Sequence, residues 1–541
     1  MKPLGLCLLI VFFSSVGSLQ SQETKMYRLL LKDKGHPPFS LIHPDDFLSP
    51  KSIERRMRQG LPVDSVDLPL DPAYLDAIAK TGASIRTYSK WVETVVVQFT
   101  DSGILPQLEN LPFVDSVYCV WKGTLPANTT VQPDDEFDSD IQQNTINSYG
   151  SGFIQIALNN GHLLHNEGFR GKGMSIAVLD GGFMNVDQID YFNRNQMKEI
   201  KSFNHEVSDM LRESTDHGTR VLSCMLSDKS GDLIGTAPEA DYYLFRTEVM
   251  DGEYPVEEDY WIAGLEYADS VGVDIVTSSL GYTTFDDSTM NHTRAQLDGQ
   301  TVPISRAANL AASRGILLFN SAGNEGANDW QKITFPADAE NIITVGSVSN
   351  DSTRSSFSSL GLTADRRIKP DLMAMGSQVS VVEGSGKVVQ SNGTSFSTPI
   401  LAGLAACLWE ALPDLNSFAM IRLLRATANH FQDPDSLTGY GIADVYKACL
   451  QQQTSTQPVV ASSVPPVYIS INPFDNRLYV NLADAEEYKR CVLDIYTPLG
   501  IRVVSVSNLS GSIDISFLPK GIYIVRLRTG DKQWVRKFVK S

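Results

Sequence analysis

A serine hydroxyl is a weak nucleophile until a base takes its proton. The stretch Gly393-Thr394-Ser395-Phe396-Ser397-Thr398-Pro399 holds one serine in a setting that suits such activation. Small residues ahead of Ser395 let the backbone approach an acyl carbonyl. The apolar run 400–406 reads as a buried helix that fixes Ser395 at its start. Pro399 is expected in the first turn of that helix, where its missing N–H costs nothing. The competing reading is a Ser/Thr-rich helix cap without chemistry. Three other residues fit partner roles. Asp180 ends the apolar strand-like run 174–179, which puts a carboxylate at the mouth of an α/β crevice. His217 opens the helical run His217-Gly218-Thr219-Arg220-Val221. Asn324 follows the strand-like run 316–319 in Ser321-Ala322-Gly323-Asn324, where its amide can project at a strand end. The order Asp, His, Ser is one of the known orders for a serine triad. In that arrangement Ser395 attacks, His217 moves the proton, Asp180 steadies the imidazolium, and Asn324 donates to the oxyanion.

The elements that must position these groups lie in residues 151–450, where strand-like and helix-like segments alternate. Runs 273–276 and 316–319 read as strands, and 262–268 and 306–314 as helices. Such alternation predicts an α/β fold, a three-layer structure around a mostly parallel sheet. Residues 24–122 read as a small α+β domain, with strands at 26–31, 93–99 and 116–120 and helices at 73–80 and 104–111. Residues 123–150 are polar and acidic, as expected of an exposed linker, and linkers are where chains are cut. A second linker, 451–466, is rich in Gln, Ser, Thr and Pro. Residues 467–541 alternate in the β manner between turn signals such as Pro519-Lys520-Gly521, which predicts a small β-sandwich.

The chain of 541 residues carries a formal net charge of −18, which argues against a nucleic-acid partner. Residues 467–541 hold 11 Lys+Arg against 7 Asp+Glu, so this tail is +4 and the remainder −22. The first 21 residues read as a secretory signal, with Lys2 ahead of the apolar core 4–13. No later stretch has the uninterrupted apolar length of a membrane helix, so no transmembrane helix is expected in the mature chain. Six cysteines, widely spaced and without a CxxC pair, suggest neither a disulfide framework nor a zinc site. Cys224 reads as a core residue, His165 as structural, and His205 and Glu206 lack metal-ligand spacing. Asp134-Asp135 and Asp286-Asp287 read as solvated charge runs rather than a calcium site.

Taken together, Asp180, His217, Asn324 and the turn around Ser395 resemble the subtilisin-like serine proteases over residues 150–450. Further pieces arrive in that family's order: Gly235-Thr236-Ala237-Pro238, Ser279-Leu280-Gly281, Phe335-Pro336-Ala337, Phe357-Ser358-Ser359-Leu360-Gly361 and Lys369-Pro370-Asp371-Leu372. The resemblance implies that Ser279, Leu280 and Gly281 pair with the substrate backbone and that substrates are proteins or peptides. It implies no cofactor for the chemistry, and it leaves structural calcium possible without placing it. Two departures stand out. Gly181 occupies the place of the family's usual Ser or Thr after the triad Asp, and Ala374-Met375-Gly376 replaces its Ala-Pro-Gly.

The domain at 24–122 is similar to subtilase propeptides, which implies that it aids folding, occupies the cleft and is cut off. A permanent accessory domain is the alternative. The tail resembles a sorting domain of the type IX secretion system of Bacteroidetes through Asn472-Pro473-Phe474, Leu493-Asp494-Ile495-Tyr496, Leu518-Pro519-Lys520-Gly521-Ile522-Tyr523 and the terminal Lys537-Phe538-Val539-Lys540. That implies outer-membrane secretion machinery as a partner and a secreted or cell-surface location. The alternative for the tail is a binding module. For the whole chain the rivals are a catalytically impaired scaffold or adhesin, and an esterase or peptide ligase working through the same acyl-enzyme.

Overall fold

The structure, a computed structural model, describes residues 24–123, 147–204, 210–212, 215–249, 252–455, 467–472, 477–482, 491–497, 501–507, 512–529 and 532–540. The leader at 1–21, most of both linkers, Asp134-Asp135, His205, Glu206 and Pro473-Phe474 lie outside the described residues.

The N-terminal domain runs β1 (Thr24–Leu31), α1 (Pro50–Gln59), α2 (Pro72–Lys80), β2 (Ser84–Ser89), β3 (Thr94–Phe99), α3 (Ile104–Glu109) and β4 (Val114–Gly123). Its antiparallel sheet has the order β2-β3-β1-β4. With α2 and α3 this is a split βαβ arrangement, to which α1 is an addition. Sequence reading did not anticipate α1 or β2. The helix nonetheless has its signals: Ser49 accepts from Ser52 N–H as N-cap, Pro50 stands in the first turn, and Gly60 caps the end. Strand β3 is buried along its whole length because both sheet faces are covered. Val95 and Val97 pack toward α2 and α3, while Val96 joins Met26, Val120 and Trp121 against Val256 and Tyr260 of the next domain.

The central domain begins with α4 (Phe153–Ala157) and α5 (Gly161–Asn166). It continues through β5 (Ser175–Asp180), β6 (Met197–Ser202), α6 (His217–Leu226), a ribbon of β7 (Asp228–Lys229) and β8 (Leu233–Ile234), β9 (Asp241–Arg246) and α7 (Val256–Val271). Then come β10 (Ile275–Ser278), α8 (Pro303–Ser313), β11 (Leu317–Ser321), β12 (Ile343–Val348), β13 (Leu372–Met375), the hairpin β14 (Val379–Val382) with β15 (Val388–Ser391), α9 (Thr394–Ala411), α10 (Ser417–Ala426) and α11 (Val445–Ser455). Seven strands form a parallel sheet in the order β13-β12-β11-β10-β5-β9-β6. Alternate residues feed two cores. Ile176, Val178, Leu317 and Phe319 pack with α6 and α9, whereas Ala177, Leu179, Val276 and Leu318 pack with α7 and α8. Burial on both faces explains why these strands read as continuous apolar runs. The tail is a β-sandwich. One sheet is β16 (Val467–Asn472), β17 (Arg477–Leu482) and β20 (Ser512–Asp514). The other is β18 (Val492–Tyr496), β19 (Arg502–Ser507), β21 (Gly521–Thr529) and β22 (Lys532–Lys540). Among the described residues no helix is long and apolar enough to cross a membrane.

Two details differ from the sequence reading. Helix α11 extends to Ser455, into the stretch read as linker. Pro399 is the sixth residue of α9, inside the helix rather than in its first turn. The helix tolerates it because the carbonyl that Pro399 cannot reach, that of Ser395, accepts the Ser279 hydroxyl at 2.8 Å. From Thr394 to Trp409 every residue of α9 is buried, as expected of a helix at the centre of a domain. Leu401, fully enclosed in that core, should cost about 2–5 kcal/mol when cut to Ala. Denaturant unfolding followed by tryptophan fluorescence checks this; an unshifted midpoint would contradict the packing.

Candidate functional site

The chain leaves β5 toward β6 and β9 on one side of the sheet, and later builds β10 to β13 on the other. The reversal of strand order opens a crevice at the carboxyl ends of β5 and β10. Asp180 is the last residue of β5, and Ser279 follows β10 directly. His217 is the first residue of α6. Gly218 lets that helix start against the strand end: a Cβ there would lie 2.4 Å from Gly182 O and 3.0 Å from Asp180 Cβ. Across this contact His217 Nδ1 lies 2.7 Å from Asp180 Oδ1, a spacing that calls for Nδ1–H to donate.

Asp180 has no exposed surface. Its Oδ1 also accepts the Gly181 N–H at 2.8 Å, while its Oδ2 has no hydrogen-bond partner among the described residues. The His217 side chain is 38% exposed and faces the crevice. Burial lowers the imidazole pKa, but the charge of Asp180, its hydrogen bond and Asp216 outweigh this, and the pKa ends above its ordinary 6.5.

Ser395 lies in the first turn of α9. Gly393, at φ 152° and ψ 151°, makes the turn into that helix in a conformation that side chains rarely adopt. Ser395 Oγ points to Ser279 O at 3.5 Å and makes no hydrogen bond with His217. The two are nevertheless neighbours, since the ring of Phe396, the next residue, lies 6.1 Å from the His217 ring. Loose nucleophile–base contacts are common in unliganded sites.

Asn324 is exposed, and its Oδ1 accepts Thr394 N–H at 2.9 Å and Thr394 Oγ at 3.0 Å. Fixing the oxygen this way leaves Nδ2–H₂ to donate outward, beside Gly393. The Ser395 N–H, in the first turn of α9, has no intrahelical acceptor. Two donors therefore flank the serine. Leu280 O accepts Asn320 Nδ2 at 3.2 Å and Ser321 Oγ at 3.3 Å, which holds the segment after β10 extended. Gly281 is exposed and makes no backbone hydrogen bond outside the strands.

Sequence reading missed Glu248. It stands two residues past β9, whose last residue pairs with Asp180. Its Cγ would be 3.6 Å from a Cβ on Gly181, and its Oε1 accepts Tyr282 Oη at 2.6 Å and Thr247 Oγ1 at 3.1 Å. Burial, with Glu253 and Asp180 nearby, pushes its pKa up to about 8. Its charged form is thus disfavoured beside Asp180. The strand pairing was the only signal, and it is not visible in one sequence.

The other candidates settle into structural roles. His165 is buried between Tyr149 Oη and Thr236 O, each at 3.0 Å. Cys224 is a core thiol. Asp287 pairs with Lys122 at 2.5 Å and accepts from Thr289 N–H, and Asp286 accepts from Glu253 N–H. Among the described residues no group of three or more His, Cys, Asp or Glu is arranged to hold a metal ion.

Residues 171–442 match the subtilase family, residues 26–135 a peptidase S8 propeptide domain of Bacteroidota, and residues 472–541 a secretion system C-terminal sorting domain. Curated relatives include subtilisin NAT of Bacillus subtilis subsp. natto, 28% identical over 270 residues, which are 49% of this chain and 63% of that protein. The match thus spans less than two thirds of that relative. Subtilisin BL of Lederbergia lenta is 27% identical over 286 residues, 52% of this chain and 93% of that one. Among solved structures, MycP1 from Mycobacterium smegmatis is 18% identical over 57% of this chain and 89% of its own, with a TM-score of 0.44.

The titration of His217 follows directly from the geometry. NMR of the imidazole should give a midpoint above 6.5, and Asp180→Asn should bring it down. A wild-type midpoint at or below 6.5 would contradict the arrangement.

Proposed function

The chain belongs to the subtilase family, and from that premise we propose that it is a secreted serine endopeptidase made as a zymogen. The observation that carries the reading is the convergence of His217 paired with the buried Asp180, Ser395 at a helix start and the anchored Asn324 amide at one carboxyl edge of a parallel sheet. His217, neutral at its Nε2, takes the Ser395 proton as Oγ attacks the peptide carbonyl. The negative charge that develops on the carbonyl oxygen meets Asn324 Nδ2–H and Ser395 N–H. His217 then gives its proton to the departing amine, and water enters by the same route to release the acyl group from Ser395. Asp180 keeps the imidazole oriented and offsets its positive charge. Ser279, Leu280 and Gly281 offer an extended edge to a peptide backbone.

The N-terminal domain, similar to the Bacteroidota propeptide domain, is read as the restraint on this cleft before a cut in the segment that follows it. The sorting domain is read as the address for outer-membrane export. One observation favours a second reading, a catalytically impaired scaffold or adhesin on the same fold: Asp180 Oδ2 lacks a partner where the family's usual hydroxyl is replaced by Gly181.

Casein hydrolysis by the processed protein separates the two readings. Ser395→Ala should abolish it, and hydrolysis that survives would remove Ser395 as the nucleophile. An inert wild-type protein would favour the scaffold. Asn324→Ala should lower kcat by about 10²–10³-fold with little change in KM. An equal loss expressed in KM alone would show that the amide binds substrate rather than the oxyanion.

A further inference from the structure

An aspartate just ahead of a helix ordinarily accepts a backbone N–H of the first turn. Asp216 stands in that position before α6, and its side chain makes no such bond. Its carboxylate is turned to other partners. Arg220 Nε, one turn further along the helix, donates to both oxygens at 3.0 Å. The Gly384 N–H, in the turn of the β14–β15 hairpin, donates to Oδ2 at 2.9 Å. The carboxylate thus forgoes the end of its own helix for a cation on α6 and a backbone group of a distant segment. Neither Asp216 nor Arg220 is a reacting group in the chemistry proposed above, so the arrangement calls for another account.

Arg220 extends the link. Its Nη1 donates to Ser391 Oγ at 3.4 Å, and its Nη2 lies 3.6 Å from Glu383 Oε2. Ser391 is the last residue of β15, four positions before Ser395. Arg220 is three positions after His217. One planar guanidinium therefore spans the segment that carries the base and the segment that leads into the nucleophile. The fit around it is close. A Cβ on Gly384 would lie 3.0 Å from Asp216 Cβ and 2.7 Å from Met184 Sδ, so the hairpin turn rests directly on the start of α6. Three positions beyond Arg220, Ser223 Oγ accepts the Val382 N–H of β14 at 2.8 Å. The path from Ser391 to the serine is held as well. Gln378 N–H donates to Asn392 Oδ1 and Gly393 N–H to Gly376 O, each at 2.8 Å.

Ser395 Oγ and His217 share no hydrogen bond, so the elements behind them set their spacing. The apolar contacts between α6 and α9 are non-directional. A guanidinium bonded to fixed oxygens is directional and adds the missing geometric restraint. The charges around the imidazole belong to the same device. Asp180 faces it from β5, and Asp216 and Arg220 from the start of α6. The start of α9 brings the Phe396 ring and no charge. Glu248 neighbours Asp180, and Glu383 stands behind Arg220. Asp180 and Asp216 favour the imidazolium, and Arg220 opposes it. Arg220 thus offsets Asp216, and His217 does not feel that carboxylate alone.

We propose that Arg220, held by Asp216, is a positioning residue that locks the start of α6 to the β14–β15 hairpin and so sets His217 at its working distance from Ser395. This rests on the serine chemistry proposed above, and the test has two arms so that the two can fail separately. In the first, casein hydrolysis by the processed protein is followed against pH. Arg220→Met should lower kcat by about 10²-fold with little change in KM. It should also move the acid limb of the kcat profile to higher pH, because a positive charge is lost and Asp216 is left unbalanced. Arg220→Lys keeps the charge, but a single ammonium does not span Asp216 and Ser391. It should keep the wild-type limb and recover only part of kcat. In the second arm, imidazole NMR of His217 in full-length Ser395→Ala reads the same charges without turnover. Adding Arg220→Met should raise the midpoint, Arg220→Lys should leave it in place, and Asp216→Asn should lower it. Wild-type kcat in Arg220→Met, a loss carried by KM, or full recovery in Arg220→Lys would overturn the positioning role. So would an NMR midpoint that Arg220→Met leaves unmoved. An inert wild-type protein would remove the proposed function, and the NMR arm would still decide whether the Asp216–Arg220 clamp governs His217.

Discussion

A carboxylate with no exposed surface has to be compensated where it stands, and for Asp180 that compensation comes from His217 at 2.7 Å. The rest of the site is arranged around this contact. The parallel sheet brings the carboxylate to its carboxyl edge. Gly218 lets α6 begin close enough for the imidazole to reach it. Helix α9 runs back through the middle of the domain and starts at the same edge, so that its second residue is the serine. The amide of Asn324 is tied to that start through Thr394. Each element is held by apolar packing on one of the two faces of the sheet, and the polar groups converge only where the sheet ends.

A second carboxyl group lies close to the Asp180–His217 contact. Glu248 lies beside Gly181, and an ionised carboxylate there would compete with Asp180 for His217. Burial and the neighbouring Glu253 raise its pKa and disfavour its charged form, while Tyr282 Oη and Thr247 Oγ1 donate to its Oε1. Pro399 makes a local exchange: the helix bond it cannot form is replaced by the Ser279 hydroxyl, which links the serine turn to the segment beside the crevice.

Much of this was legible in one sequence because strand ends and helix starts leave local marks. Asp180, His217, Asn324 and Ser395 each stand at such a boundary, and the two-sided burial of the sheet appears as unbroken apolar runs. What could not be read depends on pairings between distant segments. The state of Glu248 follows from the strand register that sets Arg246 opposite Asp180. The burial of Arg55 and Gln59 in α1 follows from carbonyls more than 200 residues away, although Ser49, Pro50 and Gly60 marked the helix itself. The position of Pro399 was misjudged because the helix begins at Thr394, and only the tertiary hydrogen bond from Ser279 makes an interior proline acceptable there.

The central claim is that His217 and the surrounding donors make Ser395 a nucleophile. Covalent labelling by a fluorophosphonate probe, mapped by peptide mass spectrometry on the processed wild-type protein, tests this most directly. The account predicts one adduct, on Ser395, that disappears in His217→Ala. A folded, processed protein that takes up no label, or takes it on another residue, would contradict the account.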